Sequence, residues 1–173
     1  MGLSPGLSPG LSPGLSPGPT SRYNGQVSER RTVFVLNGPN LDLLGRRDPE
    51  KYGTATLDDV EKMCDEEAER LGFDLVFRQS NHEGELIDWI HEAYDAGAAV
   101  VGNFAGYTHT SIAIMDALDM VTAPVVEVHI TDIHAREEFR HHSYVALVAD
   151  DAVVGEGVDG YPRALRRIAE LWA

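Results

Sequence analysis

The sequence predicts an α/β fold: a doubly wound sheet of five parallel strands, order 2-1-3-4-5, with helices on both faces. Three observations carry it. Strand-length apolar runs alternate with helical stripes in the order β-α-β-α-β-α-β-β-α, which implies a parallel sheet covered on both sides. Ala98–Gly102 is a continuous apolar run, as a strand buried on both faces should be. Polar clusters at Asn37–Asn40, Asn103–Thr110 and His129–Arg140 all follow strand ends. Open α/β sheets bind ligands there, at the switch point between strands 1 and 3.

The elements follow in order. Residues 1–30 repeat Gly-Leu-Ser-Pro and then pass through Pro19, Asn24 and Gly25, a composition expected of a flexible tail outside the fold, which is placed at 31–173. Strand 1 is expected at Thr32–Leu36 and ends in the turn formers Asn37-Gly38-Pro39-Asn40. The loop Leu41–Thr56, without obvious structure, is a candidate lid. Helix 1 starts near Thr56, where Thr56 and Asp59 resemble a capping box. Leu57, Val60, Cys64, Ala68 and Leu71 form its stripe, and Gly72 is the stop. Strand 2 follows at Phe73–Phe77. Asn81 or His82 precedes helix 2, whose buried side is Leu86, Ile87, Ile90 and Ala93, ending at Gly97. Strand 3 is Ala98–Gly102 and helix 3 spans Ile112–Met120. Strand 4 follows Pro124. The fourth crossover contains a short helix around Ala135. Strand 5 lies near Ala152–Gly155, and the last helix runs from Tyr161-Pro162 to Trp172.

The net charge of −14 and pI of about 4.7 disfavour nucleic acid and anionic membranes as partners. An anionic small molecule stays allowed, because arginine can be concentrated locally. The single cysteine, Cys64, excludes an internal disulfide and a thiolate zinc cage. With one cysteine, a reducing cytoplasm is the simplest compartment expected, and no apolar run reaches membrane-spanning length.

The stretch Val125–Tyr144 is the chemical centre. Glu127 and His129 are two residues apart in a strand, so both point to one face. Thr131, His134, Arg136, Arg140, His141 and His142 follow at once. Such a concentration of acid–base groups and cations is costly to fold around without a function.

Several motifs then occur in register. They are Leu36-Asn37-Gly38-Pro39-Asn40-Leu41, Gly45-Arg46-Arg47 with Tyr52-Gly53, and Phe77 through Glu85. Tyr107-Thr108-His109-Thr110-Ser111, Glu127-Val128-His129-Ile130, His134-Ala135-Arg136-Glu137, Phe139 through Tyr144 and Gly160-Tyr161 follow. Together they resemble type II 3-dehydroquinate dehydratase over nearly all of Thr32–Ala173. The resemblance implies a flavodoxin-like domain, assembly as a dodecamer of trimers, and cofactor-free dehydration of 3-dehydroquinate to 3-dehydroshikimate.

That reaction needs a base, a group to hold enolate charge and an acid for the departing oxygen. The resemblance assigns the base to Tyr52. A free phenol, with a pKa of about 10, needs a neighbouring cation to act near neutrality, and Arg47 takes that part. His129 is the acid, with Glu127 on its face to hold the other ring nitrogen. Asn40 helps to hold the enolate through water. Asn103, His109, Ile130, Thr131 and Arg140 match the substrate-holding set, with the backbone N–H groups of Ile130 and Thr131 available to a carboxylate. Asp116 on helix 3 is expected to reach a neighbouring subunit's site. Arg136 is assigned to structure or assembly.

Departures from the usual pattern are visible. Asn103-Phe104-Ala105-Gly106 stands where Asn-Pro-Gly-Ala or Asn-Ala-Gly-Gly is more usual, so the bulk of Phe104 is expected to reshape the backbone around Asn103. Thr131-Asp132 replaces Ser-Asn, and Asp132, if turned inward unpaired, would oppose an anionic ligand. Glu156 replaces a small or apolar residue.

Other readings fit less well. A lysine Schiff-base mechanism has only Lys51 and Lys62 to draw on. A receiver-type module needs clustered acids after strand 1, where this chain has asparagines. Asn-Gly-Pro-Asn is a poor phosphate loop for a flavin or nucleotide. His129, His134, His141 and His142 lack the spacing of a metal hydrolase, and no metal ligand set is assigned. A catabolic or substrate-shifted dehydratase, and a non-catalytic assembly protein on the same scaffold, are the remaining alternatives.

Overall fold

Strand β1, Arg31–Asn37, places Val33 and Val35 on one side of the sheet and Phe34 and Leu36 on the other. Period-2 alternation within one apolar run thus feeds two cores. The computed structural model describes residues 30–46 and 53–173. The proposed tail, apart from Arg30, lies outside the described residues, as do Arg47, Lys51 and Tyr52 of the loop.

The other strands are β2 (Phe73–Gln79), β3 (Ala99–Asn103), β4 (Val125–His129) and β5 (Asp151–Val154). All pair in parallel, in the order β2-β1-β3-β4-β5. This is the flavodoxin-like arrangement expected from the alternation of elements. Helices α1 (Leu57–Leu71) and α4 (Gly160–Leu171) cover one face, with Val60, Cys64, Ala68, Leu165 and Ile168 against Val33, Val35, Val101 and Val128. Helices α2 (Glu83–Asp95) and α3 (Ile112–Asp119) cover the other, through Leu86, Ile90, Ile114 and Leu118.

Local chemistry sets the boundaries. Thr56 and Asp59 form the capping box: Thr56 N–H donates to Asp59 Oδ2 at 2.8 Å, and Asp59 N–H donates to Thr56 Oγ1 at 3.2 Å. Gly72 ends α1 at φ 77°, a left-handed cap open to glycine at no steric cost. His82 is the N-cap of α2. Ser111, whose Oγ accepts from Ile114 N–H at 2.9 Å, caps α3.

One expectation needs correction and another gains detail. The start of the loop after β1 is ordered, because Leu41–Leu43 form a 3-10 turn that sinks Leu41 and Leu44 into the core. The short helix expected around Ala135 in the β4–β5 crossover is present as a 3-10 turn rather than an α-helix. The crossover is a chain of such turns at Ile133–Ala135, Glu138–Arg140 and Val145–Leu147. Its Arg, His and Glu residues leave too few apolar positions for a helix to dock on the sheet.

Among the described residues no helix is long and apolar enough to cross a membrane.

Candidate active site

The C-terminal ends of β1, β3 and β4 open onto one cavity of about 210 Å³. Pro39, Asn40 and Leu41 come from the β1 exit, and Asn103, Ala105, Gly106 and His109 from the β3 exit. His129, Ile130, Thr131, Ile133, Arg136 and Arg140 come from the β4 exit. The three polar clusters singled out in the sequence therefore converge.

Asn40 sits at φ 67°, a left-handed conformation that asparagine tolerates better than most residues. Its N–H donates to Asn81 Oδ1 at 2.7 Å, but its side chain makes no capping hydrogen bond. The carboxamide is thus not consumed by the turn. A loop-to-loop bond, Gly38 N–H to the Asn103 carbonyl at 2.8 Å, holds the β1 and β3 exits together.

Glu127 is 1% exposed and His129 5%. His129 Nε2 lies 2.8 Å from Glu127 Oε1, with the oxygen off the line of the ring N–H. It is a close buried contact without the geometry of a directed hydrogen bond. Thr108 Oγ1 donates to Glu127 Oε1, and Ser143 Oγ reaches Oε1 at 2.8 Å and Oε2 at 3.1 Å. Burial alone would raise the Glu127 carboxyl. The His129 contact and the two hydroxyls outweigh it and hold the group below the usual carboxylate range. Glu127 is therefore an anion that can only accept.

His109 donates Nδ1–H to the His142 carbonyl at 2.7 Å. Burial lowers its pKa, with His129 and Arg140 adding to the effect and the His142 carbonyl opposing it. The neutral ring, bonded this way, offers Nε2 as an acceptor. Its plane lies 11° from that of His129 with centroids 6.4 Å apart.

Two cations face the same space. Arg140 Nε donates to Glu137 Oε2 at 3.0 Å, and Arg136 Nε lies 3.5 Å from the same oxygen. One carboxylate thus gathers two guanidinium groups at the cavity wall of a chain whose net charge is −14. The arrangement suits a polyhydroxylated anion.

Arg136, assigned from the sequence to structure or assembly, lines the cavity beside Arg140. Asp132 does not turn inward: its Oδ1 accepts from His134 N–H at 2.9 Å and caps the 3-10 turn. Glu156 pairs with Arg163 at 2.8 Å, away from the cavity. Asp116 is exposed on α3 and does not line the cavity of its own chain. Phe104 is buried in the core under α2 and α3. Its neighbour Ala105 takes up the conformational demand of the turn, at φ 50°.

Sequence reasoning missed Thr108, Ser143 and Tyr161. Thr108 lies in Tyr107-Thr108-His109 and Ser143 in His142-Ser143-Tyr144, both already quoted motifs, but nothing local names their common partner. Among the described residues no three His, Cys, Asp or Glu side chains converge as a metal ligand set.

The family Dehydroquinase class II matches residues 31–169. A relative in Cereibacter sphaeroides named 3-dehydroquinate dehydratase is 56% identical over 142 residues, covering 82% of this chain and 97% of its own. Another of that name in Streptomyces avermitilis is 58% identical over 140 residues, covering 80% and 88%. The crystal structure of type II dehydroquinase from Propionibacterium acnes superposes with a TM-score of 0.78 at 46% identity, covering 81% of this chain and 97% of that one. That of Butyrivibrio crossotus does so with a TM-score of 0.78 at 40% identity, covering 80% and 97%. Matches of this length and identity mark a hydro-lyase, and the chain belongs to the class II dehydroquinase family.

Proposed function

We propose that this protein dehydrates 3-dehydroquinate to 3-dehydroshikimate, with Tyr52 as base and His129 as acid. The observation that supports the reading most is the buried Glu127–His129 pair opening onto a cavity that also holds Asn40, neutral His109, Arg136 and Arg140.

The substrate ketone makes the neighbouring C–H acidic. The Tyr52 phenolate, favoured by Arg47, takes that proton, and the electron pair moves onto the ketone oxygen as an enolate. Asn40 holds the enolate charge through water. As the enolate collapses, the β-hydroxyl leaves with a proton delivered by His129, giving water and a conjugated enone. No cofactor enters the scheme, because the substrate's own carbonyl stores the electrons. Glu127 orients His129 and stabilises its charged form. Asn103, His109, Thr131 and Arg140, with the Ile130 and Thr131 N–H groups, grip the hydroxyls and carboxylate.

The assembly belongs to the same reading: a dodecamer of trimers, in which Asp116 completes a neighbour's site, working in the cytoplasm on aromatic biosynthesis. Light scattering on the wild type and catalysis by Asp116→Ala check this part. Loss of turnover with the dodecamer intact supports it, and unchanged turnover sinks it.

The activity test is the rise in ultraviolet absorbance as the conjugated product forms. Wild type should turn 3-dehydroquinate over. Tyr52→Phe and His129→Ala should each lose about a hundredfold or more in kcat. Wild type that leaves 3-dehydroquinate unchanged would refute the reading.

A further inference from the structure

The buried end of α4 carries a polar chain that the reaction scheme does not use. Tyr161 is fully buried, at 0% exposed, yet its hydroxyl sits between two asparagines from the two strands flanking the switch point. It donates to Asn37 Oδ1 at 2.7 Å and accepts from Asn103 Nδ2 at 2.9 Å. Asn37 Nδ2 donates to the Arg78 carbonyl at 3.1 Å, and Asn103 Oδ1 accepts from Ala105 N–H at 3.3 Å. Asn37 and Asn103 are 0% and 4% exposed, and only Asn103 borders the cavity.

Proton counting gives this chain a direction. A backbone carbonyl only accepts, so the Asn37 NH₂ must face Arg78 and its Oδ1 must face the phenol. The phenol has one proton, and Asn37 takes it. Tyr161 can then only accept from Asn103, which turns the Asn103 NH₂ toward it and the Asn103 carbonyl toward the Ala105 N–H. Both ends of the relay are backbone groups, so neither amide can flip without orphaning a buried partner. One N–H of Asn103 is left unspent.

We propose that Tyr161 is a positioning residue for the substrate: through the relay Arg78–Asn37–Tyr161–Asn103 it fixes the orientation of the Asn103 amide, so that the site presents an N–H donor to a substrate oxygen. The inference rests on the dehydratase reading and deepens it. Burial raises the Tyr161 phenol well above its ordinary value, so it keeps its proton throughout the working pH range.

The test is a mutant cycle in KM and kcat on the intact protein, with 3-dehydroquinate as substrate. Tyr161→Phe keeps the ring in its packing and removes the relay. KM should rise about tenfold with kcat changed less than about threefold, the pattern of lost uniform binding. In an Asn103→Ala background the same change should have almost no further effect on KM, because the two residues act as one unit. Should Tyr161→Phe fail to fold, Asn37→Ala is the second arm. It frees the phenol proton to turn toward Asn103 and should raise KM in the same way, again only when Asn103 is present. Unchanged KM in either folded variant, or a KM rise that persists undiminished in Asn103→Ala, would overturn the positioning role. Inactive wild type would instead bring down the dehydratase reading together with it.

Discussion

His129 Nε2 lies 2.8 Å from Glu127 Oε1, inside a carboxylate site closed by the hydroxyls of Thr108 and Ser143. Substituting Glu127 by Gln keeps the shape but removes the charge and turns an NH₂ toward groups that donate. Turnover should fall about a hundredfold or more, as for loss of an acid–base partner. Thr108→Val should fall less than that, and Thr108→Ser should recover most of wild-type kcat. Steady-state rates on purified variants with unchanged circular dichroism check the order.

The same carboxylate makes a pH prediction for stability. Its folded pKa is depressed, so its contribution is fully present above the ordinary carboxylate value and is lost as pH falls through the folded one. The gap in unfolding free energy between wild type and Glu127→Gln should therefore hold from neutrality down to about pH 5 and shrink below about pH 4. Urea titrations at several pH values measure it. A gap that widens on acidification would mean that the group is neutral in the folded protein.

Ala105 occupies φ 50° beside the cavity, where a Cβ is disfavoured by about 1–2 kcal/mol. Glycine removes that strain but gives up about 0.5–1 kcal/mol to the unfolded chain. Ala105→Gly should raise the melting temperature slightly, by roughly a degree or more, without loss of kcat. Calorimetry and initial rates follow both.

Asp132 spends its carboxylate on the His134 N–H. Asparagine can make the same cap. Asp132→Asn should therefore leave KM for 3-dehydroquinate within about twofold of wild type, since an exposed charge is screened at physiological salt. A KM that drops tenfold would show that the charge is felt in the cavity.

Much of this was legible beforehand, for physical reasons. The parallel sheet covered on both faces follows from alternation and handedness, and the doubly wound order 2-1-3-4-5 is a guess that fits them and is the order found. The ends of α1 follow from Thr56, Asp59 and Gly72, whose capping is a local matter. Asn40, His109, Glu127, His129 and Arg140 share the region of the strand exits because the topology leaves them no other place. Tyr161 was not legible as a partner of Asn103, because the two are 58 residues apart and meet only through packing of α4 on the sheet. The place of Arg136 at the cavity wall was not legible, since the 3-10 path of the crossover has no strong periodic signature. Arg47 and Tyr52 rest on the sequence motif alone.

The Phe104 ring occupies the room that Gly102 leaves, and its backbone crosses close over Gly38. A methyl group on Gly102 would lie 2.2 Å from Phe104 Cε2, and one on Gly38 would lie 2.5 Å from the Phe104 carbonyl oxygen. The order in which substitutions can accumulate is thereby constrained. Gly102 can gain a side chain only after position 104 has shed its ring, and a smaller residue at 104 opens a void that Gly102 must then fill. The relation with Gly38 is of another kind, because the obstacle there is backbone and no exchange at 104 clears it. Two routes by which this corner could drift are thus a coupled pair and a closed door.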